Sequence, residues 1–109
     1  LGSPDDLVTQ IGWRIARGMV LARQGKASEA ETVARSGLEL ALSTEYASQT
    51  AEAHMALADV LRLAGRTDEA AEELERALAI YERKEFAASA DAVRTELADL
   101  RAELGSSVP

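Results

Sequence analysis

Few side chains in this 109-residue chain could carry chemistry. His54 is the only histidine, and the chain has no cysteine. Nucleophiles paired with histidine or built on a thiol, and most zinc geometries, therefore lack the residues that they need. The densest carboxylate cluster, DEAAEELE at 68–75, has no histidine or thiol beside it, and its composition is typical of a solvated helix face. We find no catalytic constellation, metal site or cofactor motif, and we expect the protein not to be an enzyme.

The composition of the chain favours helices and argues against two classes of partner. Hydrophobic residues make up 47% of the chain, mostly alanine and leucine, and its two prolines stand at 4 and 109. The net charge of −7, with scattered lysines and arginines, is the wrong sign for nucleic acid. No apolar run approaches the roughly 20 residues of a membrane span. We therefore expect an all-α domain that binds neither nucleic acid nor membrane, and the lack of cysteine is compatible with a cytoplasmic location, which we expect.

The sequence repeats itself with a period of 40 residues. ARQGKASEA around Gly25 is echoed by RLAGRTDEA around Gly65, and the next step falls on Gly105. A period of this length indicates a stack of helical units. Other positions recur in the same register, namely Trp13, Ala53 and Val93; Arg17, Leu57 and Leu97; and Val20, Val60 and Leu100.

Helical spacing of apolar residues within each unit predicts five helices, over 5–24, 27–43, 47–64, 67–83 and 87–104. Gly25 and Gly65 are placed to end helices in the left-handed conformation. Thr67 is the best N-cap candidate for the fourth helix. We expect a helical domain over 5–104, a linker or cloning remnant at 1–4 and a disordered tail at 105–109.

The second unit resembles the tetratricopeptide repeat, a helix pair with small residues where its helices cross. The resemblance implies an all-α, right-handed stack of two helix-turn-helix repeats with a C-terminal capping helix. The first unit departs from the pattern at Arg14 and Arg17, and the family's usual period is shorter, about 34 residues. The residues that carry the resemblance are Leu57, Ala58, Leu61, Gly65, Ala70, Leu74, Ala77 and Leu78.

A narrower resemblance concerns the context of the repeats. Segments such as DDLVTQIGWR and MVLARQGKASEAE are similar to C-terminal helical regions of large bacterial signalling proteins. Those proteins carry cyclase-like or transcription-regulator domains followed by an ATPase module. This resemblance implies that the chain is the C-terminal part of a larger regulatory protein.

The family resemblance implies a non-catalytic protein-interaction module that binds on its concave face, formed by the first helix of each pair. Methionines and an isoleucine among charges suit an adaptable surface for a helix or peptide, although the same residues could pack against neighbouring helices. The acids predict a partner with basic residues flanking an apolar anchor. Mapping by register predicts partner contacts at Ile15, Met19, Glu52, Met55, Asp59, Arg62, Thr95 and Asp99.

An alternative function is a structural spacer or a homodimerisation element that makes contact through helix one. Helix one carries apolar residues around much of its circumference, whereas helix five has a single apolar stripe and is otherwise charged. A homodimer would then form through Ile11 and Trp13. Core or end-cap packing is the simpler interpretation of Trp13, and the alternative is an exposed anchor for an upstream repeat or for a second copy of the chain. For His54, ordinary packing or a surface position is the simpler interpretation.

Overall fold

The computed structural model describes residues 4–106, and these form five helices. They are α1 (Pro4–Arg23), α2 (Ala27–Leu42), α3 (Ala47–Leu63), α4 (Thr67–Arg83) and α5 (Ala87–Ser106). Each predicted helix is present, and the all-helical fold prediction is confirmed. Because α5 continues through Ser106, the predicted disordered tail is wrong at 105–106. Residues 1–3 of the predicted linker and 107–109 of the tail lie outside the described residues.

The turns within the two helix pairs close as their glycines predict. Gly25 and Gly65 have φ angles of 79° and 81°, in the left-handed region that glycine adopts without steric cost. After Gly65, the Arg66 N–H donates to the Leu61 carbonyl at 2.8 Å, which satisfies a free carbonyl at the end of α3. Gly105, by contrast, lies within α5 and ends no helix at that position.

The turn between α4 and α5 has the same hydrogen bonds without a glycine. Glu85 takes the left-handed position with φ 61°, and the Phe86 N–H donates to the Tyr81 carbonyl at 2.9 Å. A side chain in this conformation is strained because its Cβ crowds the backbone. The stack therefore uses one turn geometry three times, but only two of the three turns have the glycine that this geometry favours.

The N-terminus of α4 is stabilised by ion pairs rather than by a hydroxyl cap. Thr67 is the first helical residue, and the preceding Arg66 occupies the cap position without a side-chain cap bond, so the prediction of Thr67 as N-cap is wrong. The helix begins at Thr67 itself, one residue earlier than expected, so the residue that precedes the helix is Arg66. Arg66 Nε lies 2.6 Å from Glu69 Oε2, and the same guanidinium pairs with Glu31 on α2.

The helices form an elongated stack of 54 × 35 × 17 Å. α1 packs on α2 and α3 on α4, and α3 also contacts α1 and α2. In the described residues α5 packs only on α4, and no Cα atom of α3 lies within 8 Å of one in α5. The core runs through both units, and its largest fully buried side chains include Ile11, Leu57, Leu61, Leu74 and Leu100.

Helix α5 has the character of a cap. Val93, Leu97 and Leu100 form one buried stripe against the stack, and Leu104 is half-buried at the end of that stripe. Arg94 and Arg101 flank this stripe and pair with Glu82 and Glu75 of α4, and the far side of α5 is exposed and carries Asp91 among alanines. The predicted single apolar stripe is confirmed for this helix.

Candidate functional site

The predicted groove exists as a cleft between α1 and α3. It encloses about 300 Å³ and is lined by Ile15, Met19, Glu52, Met55, Ala56 and Asp59. Residues three or four apart lie on the same side of a helix, so each of the two helices contributes a short row of side chains. The cleft is a surface groove with an apolar floor and acidic residues on one side.

The floor of this cleft consists of partly buried side chains. Ile15, Met19 and Met55 pack against the core, as one of the two interpretations predicted, and they also line the groove. The Tyr81 hydroxyl of α4 points to Met55 Sδ at 3.9 Å. A methionine floor can adjust its shape to different apolar groups because the thioether chain is flexible and polarisable.

A second, more polar cleft of about 590 Å³ adjoins the first and shares Met19 and Asp59 with it. It lies where α5 diverges from α3, and the ion pair between Arg62 and Glu103 crosses this gap. The remaining lining residues of the second cleft are Arg23, Leu63 and Thr67.

Two carboxyl groups meet in the gap between α3 and α5. Burial raises the pKa of Asp59, and its hydrogen bond with Glu96 and the nearby arginines oppose this shift only in part. Burial also raises the pKa of Glu96, and the adjacent charge of Asp59 raises that pKa further. A neighbouring cation would favour the ionised form of both carboxyls, because it offsets the repulsion between their charges.

Six of the eight predicted contact residues line these two clefts. Thr95 and Asp99 of α5 line neither of them, and a partner contact at these two residues stays a prediction. In the 40-residue repeat, Thr95 corresponds to Ile15 and Asp99 to Met19. Ile15 and Met19 of α1 face α3, the first helix of the following unit. Within the described chain no helix follows α5, so Thr95 and Asp99 have no such helix to face. Thr95 is exposed, and its hydroxyl donates to the Asp91 carbonyl at 3.1 Å.

The sequence analysis missed several lining residues, among them Ala56 and Glu103, and it also missed Glu96, which is bonded to Asp59 but lines neither cleft. Ala56 and Glu96 belong to one column of the 40-residue repeat, which faces the preceding first helix. Glu103 lies seven residues after Glu96 and hence on the same side of α5. These spacings show that Glu96 and Glu103 lie on one side of α5. They identify residues near the clefts only once it is known which side of α5 faces α3.

His54 is neither a ligand nor a surface residue. It is buried on α3, and its Nδ1 donates to Glu73 Oε1 of α4 at 2.7 Å. Burial disfavours a charge on Glu73, but the bond from His54 and the charge of Arg76 outweigh burial, so the pKa of Glu73 is lowered. The pair fastens α3 to α4 away from the clefts.

The structure separates the two residues of the predicted dimer contact. Ile11 is only 1% exposed and belongs to the core, so it cannot meet a second copy, and this part of the prediction is wrong. Trp13 is 63% exposed, so its predicted packing in the core or at an end cap is also wrong. The two side chains lie on different sides of α1, because residues two apart are about 200° apart around a helix.

Residues 4–106 contain no group of three or more His, Asp or Glu side chains arranged to hold a metal ion. Within the same residues, no helix is both long enough and apolar enough to cross a membrane.

Comparison with known proteins identifies the fold and the family. The chain is similar to the crystal structure of the TPR domain of Arabidopsis FLU, with a TM-score of 0.73 and 28% identity over 89% of this chain and 82% of that one. No curated protein is significantly similar in sequence. The model of the tetratricopeptide repeat matches residues 11–83, about two thirds of the chain. This chain therefore belongs to the tetratricopeptide repeat family.

Proposed function

We propose that the protein is a non-catalytic interaction module whose groove face binds a helix or peptide of a protein partner. The groove face comprises Ile15, Met19, Glu52, Met55, Asp59 and Arg62. The observation that carries this proposal is the continuity of the two clefts, which places an apolar methionine floor directly beside the Asp59–Glu96 carboxyl pair.

The chemistry of the groove face defines the partner. An apolar anchor such as leucine or phenylalanine fits the floor at Met19 and Met55. A lysine or arginine beside this anchor would reach Asp59 and Glu96, and would stabilise both carboxylates in their ionised form. The partner is therefore an amphipathic segment with a basic residue flanking an apolar one. The clefts are short, so we expect an affinity in the micromolar range, on the order of 8 kcal/mol of binding free energy.

For the biological context we propose the C-terminal part of a larger bacterial signalling or regulatory protein in the cytoplasm. The support is the similarity of the segments at 5–14 and 19–31 to such proteins. Sequencing the full gene product tests this context directly, and a gene without signalling or regulatory domains would contradict it.

Selection from a displayed peptide library tests the groove face. Wild-type protein should enrich peptides that combine an apolar residue with lysine or arginine, and binding of these peptides should weaken with salt because the contacts are partly ionic. Met55→Glu and Asp59→Lys should each lose the selected peptides. Glu72→Lys makes the same charge change as Asp59→Lys at an exposed position of α4 and should retain them. Equal binding by all variants would place the site elsewhere.

A spacer or homodimer through α1 is the alternative function, and only part of its basis remains. Trp13 is exposed on α1, whereas Ile11 is buried and cannot contribute. Sedimentation equilibrium at several concentrations tests this alternative. A dimer that dissociates on Trp13→Ser would favour it over the groove face.

A further inference from the structure

Two carboxyl groups meet across the gap between α3 and α5, at the point where the two clefts join. Asp59 and Glu96 are both half-buried, and their side chains are hydrogen-bonded to each other. Asp59 lines both clefts, whereas Glu96 lines neither. A change in the protonation of this pair therefore reaches the groove face through Asp59.

The hydrogen bond between the two side chains requires a proton. Ionised carboxylates only accept hydrogen bonds, so two carboxyls can bond to each other only when one of them is protonated. Burial raises the pKa of Asp59, and burial together with the charge of Asp59 raises the pKa of Glu96. The free protein therefore keeps a proton between these two groups to a higher pH than two separate side chains would.

The nearest cations compensate the pair only in part. Arg62 of α3 acts on both carboxyls, and Arg23 of α1 acts on Asp59, yet both pKa values stay raised. Arg62 is not free to move onto the pair, because its guanidinium forms an ion pair with Glu103 across the gap. The groove face thus contains a carboxyl pair that a further cation would stabilise in its ionised form.

The other charges near the pair are negative or already paired. Asp99 of α5 raises the pKa of Glu96, and Glu52 of α3 lines the first cleft together with Asp59. α4 packs on α5 and directs two carboxylates to its arginines, in the pairs Glu75 with Arg101 and Glu82 with Arg94. Within residues 4–106, the charges that act on the carboxyl pair come from α1, α3 and α5.

We propose that the groove face is a proton-linked binding site, in which a basic partner displaces the proton that Asp59 and Glu96 share. This inference rests on the proposed function of the groove face. When a lysine or arginine of the partner approaches Asp59, the shared proton leaves to solvent and two carboxylates face the cation. In acid the proton returns, and the partner is released.

The direction of the pH dependence follows from linkage. The partner's cation lowers the pKa of the pair, so the dissociation constant falls as the pH rises toward the raised pKa values of the free protein. Above those values the pair is already ionised, and the dissociation constant becomes independent of pH. Release of one proton changes the dissociation constant by at most about tenfold per pH unit. A lysine of the partner does not contribute, because it stays protonated over this range.

Isothermal titration calorimetry with a synthetic peptide measures both the affinity and the released proton. The probe is a blocked, alanine-based helical peptide with leucines on one face and a lysine beside each leucine. Between pH 4 and pH 8, it should bind the intact protein more tightly as the pH rises. In buffers with different ionisation enthalpies, its apparent binding enthalpy should differ in proportion to the proton released. A control peptide with glutamine in place of each lysine should show neither effect.

Single substitutions assign the proton to the pair. Glu96→Gln, at a position that lines neither cleft, should remove most of the pH dependence and most of the buffer dependence. Glu52→Gln removes the other carboxylate of the first cleft and should weaken binding but keep the pH dependence. Glu72→Gln, at an exposed position of α4, should behave like wild type. Circular dichroism at each pH checks that every variant is folded.

Two results would overturn the proposal and leave the proposed function intact. One is binding of the lysine peptide with a dissociation constant and an enthalpy that depend on neither pH nor buffer. The other is an unchanged pH dependence in folded Glu96→Gln, which would assign the proton to another group. A lysine peptide that fails to bind at every pH, up to about 1 mM, would instead contradict the groove face itself and this inference with it.

Discussion

At the scale of single residues, the structure contains two carboxyl pairs in opposite electrostatic situations. Glu73 is buried but receives the hydrogen bond of His54 and the ion pair of Arg76. Asp59 and Glu96 share a partly buried gap with each other. The first arrangement stabilises a buried negative charge, whereas the second makes ionisation of the pair unfavourable.

Glu73→Gln should lower the free energy of unfolding by about 1–3 kcal/mol at pH 7, because it removes a charge-assisted bond and leaves a buried polar network incomplete. The pKa of Glu73 is lower in the folded protein than its ordinary 4.5, so its contribution is present above that pH and is lost as the pH falls through the folded pKa. Urea unfolding at pH 7 and pH 3 should show the difference from wild type shrinking in acid. Glu72→Gln on the exposed side of α4 is the matched control, and an equal loss in that variant would contradict the assignment.

Glu96→Gln should have the opposite effect and raise the stability at neutral pH. The pKa values of Asp59 and Glu96 are raised in the folded protein, so the folded state binds protons more tightly than the unfolded chain. The cost of ionising the pair is therefore absent below the unfolded pKa values and complete above the folded ones. Melting temperatures across pH 3–8 should show the gain of the variant growing with pH. Glu72→Gln, at an exposed position of α4 that does not influence either carboxyl, should show no such trend.

At the scale of the elements, the turns decide where each helix ends. Gly65 has φ 81°, and no atom lies within 4 Å of the position that a Cβ would take. Gly65→Val should therefore destabilise the fold by about 1–2 kcal/mol through backbone strain alone, without a steric clash. Thermal unfolding measures this cost. Ala64→Val, at the preceding exposed position, is the control for a loss of helix propensity, and an equal effect of both changes would argue against strain.

Glu85 offers the converse experiment at the third turn. It holds φ 61° without being glycine, so Glu85→Gly should relieve left-handed strain of about 1 kcal/mol, although the added freedom of the unfolded chain offsets part of the gain. Differential scanning calorimetry should show a higher melting temperature for Glu85→Gly and no increase for Glu85→Ala. A lower melting temperature for the glycine variant would mean that another interaction of Glu85 outweighs the strain.

The elements also show how far the sequence alone leads. Gly25 and Gly65 mark their turns because the left-handed conformation selects for glycine, so the repeat and the helices follow from the pattern. The turn at Glu85 has no such mark, because a glutamate occupies its left-handed position. Trp13 was predicted to be packed because it shares a column of the repeat with Ala53 and Val93, which are buried. The column shows which positions a neighbouring helix usually covers, but only the structure shows whether such a helix is there. Thr95 lies outside the two clefts, and the sequence could not show this because the register does not say which helix a first helix faces.

At the scale of the whole molecule, the stack is nearly one-dimensional, and its helices differ in how many neighbours hold them. α3 packs against α1, α2 and α4, whereas α5 packs only against α4 within the described chain. The connection between α3 and α5 consists of polar side chains, such as the exposed Arg62–Glu103 pair. Exposed ion pairs contribute little to stability, so α4 provides most of the attachment of α5.

Native-state hydrogen exchange should therefore rank the helices by their packing. Amides in the middle of α3 should exchange only through global unfolding, while those of α5 should exchange through a local opening of lower free energy that leaves α3 and α4 intact. Leu97→Ala removes a buried contact between α5 and α4 and should accelerate exchange in α5 far more than in α3. Glu103→Gln, which breaks only the bridge to Arg62, should change exchange in α5 much less. Equal protection of α3 and α5, with equal responses to Leu97→Ala, would show that the stack unfolds as one cooperative unit and that the gap between α3 and α5 does not weaken it.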